Sequence, residues 1–135
     1  MIFAVIIKGR MVIEDDTTKI WMENGIIHFE YKPEAIVNLE VQKKNIRDRT
    51  TFAEGIARPV FADGRQAKYW TQDAKKYSLT DEGLHLAAAF AILSNSNITQ
   101  VSLNWTLKFL NPKVPMRFFT NKEKALVWLE QFKKV

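Results

Sequence analysis

SNSNITQVSLNWTLKFLNPKVPMRFFTNKEKALVWLEQFKKV, residues 94–135, is the stretch whose reading decides the fold. Ser94-Asn95-Ser96-Asn97 is a cap-rich turn that leads into a helix over residues 98–110. Pro112 and Pro115 stop that helix and set an extended approach to a strand over 116–119. Thr120-Asn121-Lys122-Glu123 has capping-box form, in which the Thr120 hydroxyl accepts from the Glu123 amide. Ala125, Trp128, Leu129 and Phe132 then make the inward face of a closing helix. A helix–strand–helix ending of this kind needs a parallel sheet to close against.

Working back toward the start, residues 86–93 form a run without charge, as expected of a central strand covered on both faces. Gly83 breaks a helix over 72–79 that Thr71 caps. Residues 58–64 read as a short buried strand with Asp63 and Gly64 at its carboxyl end. A helix over 39–54 opens at Asn38. Its apolar residues Leu39, Ile46 and Ala53 share one line, while Gln42, Asn45 and Arg49 fall inside the apolar arc. Such residues form either the rim of the core or a polar seam toward a partner. Residues 19–23 and 26–31 flank Asn24-Gly25, a type I′ turn dipeptide, and make an antiparallel hairpin that Pro33 ends. The order is β-hairpin, α, β, α, β, α, β, α. The fold class is α/β: one domain over 1–135, a mixed sheet with an opening hairpin and parallel crossovers. Residues 1–17 are an extension or an edge strand, and Met11 is a second potential start of translation. The apolar residues 1–7 are too short for a membrane span and lack the form of a secretory signal.

The chain has 135 residues and sixteen aromatics (four Trp, three Tyr, nine Phe), ample for one core. It has no Cys, which excludes disulfides and thiolate chemistry and suits the cytoplasm. The formal charge is +5, with bases interspersed among acids, so a clustered nucleic-acid footprint is missing. His28 and His85 are the only histidines, and neither has a ligand or carboxylate at catalytic spacing. His28 alternates with Ile27 and Phe29 and points away from the face they share. No HExxH, Gly-rich phosphate loop, GxSxG or paired-carboxylate motif is present. The expectation is therefore no catalytic residue, no metal and no cofactor.

In open α/β sheets the functional rim lies at the carboxyl ends of the strands. Here that rim holds Asp63, Gly64 and Arg65, then Ser94, Asn95 and Ser96. Turns and helix caps account for most of these residues; Asp63-Gly64-Arg65 is least explained by capping. The helix over 98–110 has two apolar faces. Ile98, Val101, Trp105 and Phe109 follow core spacing, and Leu103, Leu107 and Leu110 lie on the other side. Left in water, those leucines would each forfeit roughly 1.5–3 kcal/mol. Their expected cover is the N-terminal segment 1–13 or a second subunit, which makes them a candidate dimer or partner face.

The motifs Asn24-Gly25-Ile26 through Tyr31 and Pro33, Asn111-Pro112-Lys113-Val114-Pro115, Arg117-Phe118-Phe119-Thr120 and Ala125-Leu126-Val127-Trp128-Leu129 give the chain its likeness. Across residues 18–134 it resembles the STAS/SpoIIAA-like group, small α/β domains related to bacterial anti-sigma-factor antagonists. The resemblance implies a non-enzymatic regulatory or protein-binding module with a protein partner. In the antagonists, a serine after the strand that precedes the second helix is phosphorylated. The equivalent place here, Asp63-Gly64-Arg65-Gln66, has no hydroxyl, and Thr71 is the nearest one. Other relatives in this fold group bind lipids or small ligands. The competing expectation is thus a ligand binder with an apolar cleft near residues 63–69.

Overall fold

The computed structural model describes residues 3–7 and 10–133. Four strands come first: β1 (Phe3–Ile7), β2 (Arg10–Glu14), β3 (Thr18–Glu23) and β4 (Ile26–Tyr31), each antiparallel to the next. Asn24 and Gly25 take φ of 54° and 76° between β3 and β4, the two positive values that a type I′ turn demands. The turn fixes the register, Glu23 opposite Ile26 and Thr18 opposite Tyr31. After β5 (Ile36–Val37), helix α1 (Leu39–Ala53) is capped by Asn38, whose side chain accepts from the Val41 amide at 2.9 Å. Strands β6 (Arg58–Asp63), β8 (Ala87–Leu93) and β9 (Met116–Phe119) continue the sheet in parallel. Between them come β7 (Tyr69–Trp70), α2 (Gln72–Ser78) and α3 (Asn97–Leu110), and α4 (Lys122–Glu130) closes the described chain.

The described main sheet has seven strands in the order β1-β2-β3-β4-β6-β8-β9, and β5 and β7 pair as a small parallel sheet. It is a mixed α/β fold: an antiparallel meander on one side, a parallel half on the other. The parallel half requires crossovers, and the helices supply them. Two cores result. On one face Ile20, Ile27, Phe29 and Val60 of the sheet pack against Phe52 and Ala53 of α1 and Ala74 of α2. On the other, Ala89, Ala91, Leu93 and Phe119 pack beneath Ala125 and Leu129 of α4. Alanines on both sides of that contact bring helix and sheet close together, and Trp128 and Phe132 close its edge.

Three local readings change. The cap of α4 is Asn121, whose side chain accepts from the Lys124 amide at 2.9 Å, one residue later than the Thr120–Glu123 box. Asparagine caps as well as threonine does, and Thr120 still belongs to the chain leaving β9. Strand β8 begins at Ala87, because Leu86 sits at φ 56°, outside strand geometry. The polar residues of α1 are neither rim nor partner seam: Asn45 and Arg49 are each 1% exposed, inside the core, and Gln42 is buried beside them.

Candidate functional site

The carboxyl ends of β6, β8 and β9 meet at one rim. Gly64 donates its amide to the Leu93 carbonyl at 3.2 Å, and the Asn95 side chain donates to the Arg65 carbonyl at 3.0 Å. Ser94 donates its amide to Phe119 at 2.8 Å, tying the rim to β9. The sheet therefore gathers Asp63, Gly64, Arg65, Ser94 and Asn95, with Ser96 following in the same turn. Asp63 is not a free carboxylate. Arg65 grips both of its oxygens, Nε to Oδ1 at 2.9 Å and a terminal nitrogen to Oδ2 at 2.8 Å. Partial burial would raise the Asp63 carboxyl, but the Arg65 hydrogen bonds and charge hold it below its usual value. Thr71 is committed as the α2 cap, with its hydroxyl shared between Asp73 and the Ala74 amide.

The far end of the sheet is built differently. Strand β9 is an edge strand, and its outer backbone groups need partners or protection. The Asn104 carboxamide supplies them: it donates to the Phe118 carbonyl at 3.0 Å and accepts from the Phe118 amide at 2.8 Å. One side chain thus pairs with the edge as a further residue of sheet would. That double bond fixes the roll of α3. The flank bearing Leu103 and Leu107 turns toward the chain and is half-buried. The opposite flank turns to solvent, leaving Val101 68% and Trp105 61% exposed. The core assignment of Val101 and Trp105 is corrected accordingly; the side chains of Ile98 and Phe109 lie outside the described residues. Leu110 is 55% exposed at the end of the helix. Segment 1–13 does not cover this helix, since β1 lies at the opposite end of the sheet; residues 1, 2, 8 and 9 lie outside the described ones.

The third polar feature is internal. The Arg49 guanidinium donates to the Gly83 carbonyl at 3.0 Å and the His85 carbonyl at 2.8 Å, and lies 5.5 Å from the centre of the Phe90 ring. Burial pulls its pKa down to about 10. Thr18 donates to Asn45 at 2.8 Å, and Gln42 donates to Ser78 at 2.9 Å. Gly83 is required where it stands, because a Cβ there would overlap the Tyr77 carbonyl oxygen. His28 is on the other face of the sheet from Ile27 and Phe29. It stacks on Trp21 at 5.1 Å and meets the edge of Phe61 at 5.6 Å. Burial lowers its pKa to about 4. His85 is exposed.

Among the depressions of the described surface are two open ones. One, of about 710 Å³, lies between the β2–β3 turn and the start of α1, lined by Asp15, Asp16, Thr17, Lys43, Lys44 and Arg47 among others. At its wall Lys44 pairs with both Asp15 and Asp48. Burial would raise the Asp15 carboxyl, but the Lys44 hydrogen bond and the Thr18 and Thr17 amides drive it well below the carboxylate range. The other, of about 520 Å³, runs between α3 and the Pro112–Pro115 turn, with Leu107, Val114 and Met116 in its lining and Lys108 and Arg117 beside them. Neither is lined by residues 63–69. Among the described residues no three His, Asp or Glu side chains are placed to hold a metal ion. No described helix is long and apolar enough to cross a membrane.

Comparison with known families places this arrangement. The family described as Domain of unknown function (DUF7793) matches residues 20–133, from the third residue of β3 to beyond α4. The chain belongs to the DUF7793 family. No curated protein matches this DUF7793 chain. Among solved structures it is similar to an uncharacterised protein of the DUF3478 family with a SpoIIAA-like fold, from Shewanella loihica. The identity is 16%, the match covers 83% of this chain and 91% of the other, and the TM-score is 0.59. That likeness concerns the fold, and the fold of this DUF7793 member is SpoIIAA-like.

Sequence reasoning placed residues 63–65 and 94–96 at the ends of their strands, missed the bond of Asn104 to β9, and took the polar triplet of α1 for a rim or partner seam. The signal for the first was Asn104, a lone carboxamide at the boundary between the two apolar faces of α3. Asparagine is a poor helix-interior residue unless its side chain has a partner. The signal for the second was the triplet Gln42, Asn45 and Arg49 at helical spacing, which lines up on one inward face.

Proposed function

We propose that this chain is a non-enzymatic regulatory module that works by binding another protein, and that it does so through the outer flank of α3. The observation that carries this reading is the pair Val101 and Trp105. They stand four residues apart on one helix flank, both largely in solvent. Apolar residues exposed singly are ordinary on any surface. Two on adjoining turns, one of them tryptophan, beside a groove lined in part by Leu107, Val114 and Met116, have the composition of a binding anchor. The SpoIIAA-like fold and the lack of a catalytic motif in the sequence support a module rather than an enzyme. Because Asp63-Gly64-Arg65-Gln66 has no hydroxyl, the reading includes no phosphoserine switch at that place.

A photo-crosslinking residue at the exposed position 102, which leaves Val101 and Trp105 in place, with a control at the exposed Tyr69, tests the reading in the native cell. Protein adducts from position 102 that are absent from position 69 are expected. Equal adducts from both, or none from 102, would remove α3 as the binding element.

A further inference from the structure

The charge of this chain is unevenly laid out. From Gly83 to Lys122 the sequence contains no Asp or Glu, while it carries Lys108, Lys113, Arg117 and Lys122. That span contains all of α3, the proline turn and β9, so the acid-free stretch of sequence becomes one end of the molecule. Lys113 there bonds at 2.6 Å to Asp81, an exposed carboxylate that lies just before the span. Lys108 and Arg117 are held differently. The Lys108 ammonium lies 5.9 Å from the centre of the Trp105 ring, and the Arg117 guanidinium lies 5.2 Å from that of Phe119. Both side chains also line the groove between α3 and the proline turn. An apolar floor of Leu107, Val114 and Met116 therefore carries two positioned cations, and no carboxylate lines it.

We infer that this groove and the adjoining Val101–Trp105 flank receive an acidic, amphipathic protein segment: apolar anchors on the floor, carboxylates against Lys108 and Arg117. The inference rests on the proposed protein-binding role and specifies its partner. Charge complementarity decides among the occupants. A second copy docked by the same face would bring four cations into a contact to which the groove contributes no carboxylate, because a two-fold contact repeats every charge of the face. A lipid surface calls for a helix with a strongly basic polar face, and α3 carries one basic residue, Lys108. Acidic residues flanking an apolar helix or turn satisfy both the floor and the cations.

The test is a selection from a random 16-residue peptide display library. The wild-type chain is the target, and the library is first depleted on Trp105→Ser. Peptides rich in Asp and Glu around Leu, Phe or Trp are expected. Their affinity should fall at least tenfold for Lys108→Glu/Arg117→Glu and should weaken as salt rises. Trp105, Lys108 and Arg117 are exposed, so the variants should keep the wild-type melting temperature, and circular dichroism checks this. Selected peptides without acidic residues, or acidic ones indifferent to the charge reversal, would overturn the inference while leaving the protein-binding role in place. No peptide that depends on Trp105 would overturn both. Two further measurements bear on the rival occupants. Sedimentation with phosphatidylserine vesicles that is lost in Lys108→Glu would assign the face to a lipid surface. A wild-type dimer in light scattering that Trp105→Ser converts to monomer would assign it to a second copy. Either result would contradict the acidic segment.

Discussion

Helices α1 and α3 invert the same rule in opposite directions. Helix α1 turns Gln42, Asn45 and Arg49 into the core, whereas α3 turns Val101 and Trp105 out to water. Each inversion is fixed by hydrogen bonds rather than by hydrophobic pattern. In α1 the Arg49 guanidinium finds two carbonyls and the Asn45 and Gln42 carboxamides each find a hydroxyl, so most of their burial is compensated, with Gln42 Oε1 and Asn45 Nδ2 left without a partner among the described residues. In α3 one carboxamide bonds the edge of β9, and the apolar flank faces outward as a consequence. The comparison separates two kinds of exception. A polar residue inside that is bonded to distant strands and loops contributes to a unique core. An apolar residue left largely in solvent contributes less to folding than one inside the core.

The largest effect should come from removing the α1 cation. Arg49→Ala deletes two charge-assisted bonds, worth roughly 1.5–3 kcal/mol each, and leaves a cavity and two orphaned carbonyls. A loss of about 3–5 kcal/mol is expected in urea unfolding, a large part of the roughly 5–15 kcal/mol that holds a domain together. Arg49→Met keeps volume and should cost about half as much. A wild-type stability for Arg49→Met would mean that packing alone, not the bonds to Gly83 and His85, holds this seam.

A second prediction uses the buried imidazole on the other face. The folded pKa of His28 is about 4, against about 6.5 in the unfolded chain. Above pH 6.5 neither state binds the proton; between about 6.5 and 4 only the unfolded state does. Stability contributed by this group is therefore complete above pH 6.5 and falls as the pH is lowered toward 4, by roughly 3 kcal/mol in total. His28→Phe should flatten the urea midpoint over that window. An unchanged slope would place the acid sensitivity elsewhere.

Asn104→Ala tests what rolls α3. It removes two bonds to the Phe118 main chain and should cost about 1–2 kcal/mol. It should also speed hydrogen exchange at the Phe118 amide, read by mass spectrometry of the β9 peptide. Unaltered exchange there would show that Leu103 and Leu107, not Asn104, set the orientation of the helix.

The difference between the helices also explains what the sequence could reveal. The hairpin was legible because Asn24-Gly25 sets both its turn and its register locally. The parallel half was legible because proline, capping residues and apolar runs punctuate it. The rim residues at 63–65 and 94–95 followed from strand order alone. The seam of α1 was not legible, because the partners of Gln42, Asn45 and Arg49 lie 27 to 36 residues away. Nor was the roll of α3, since both of its flanks are apolar and the deciding bond joins Asn104 to Phe118, fourteen positions on.

The most direct test of the central claim, that the outer flank of α3 serves binding and not folding, is one paired experiment on Val101→Ser/Trp105→Ser. Both wild type and variant are immobilised in equal amounts, their stability is measured in urea, and the proteins each retains from native extract are quantified. The account predicts stability within about 0.5 kcal/mol of wild type, as for exposed positions generally, together with loss of the retained protein. A loss of stability of 2 kcal/mol or more, or retention of the same protein by the variant, would contradict it.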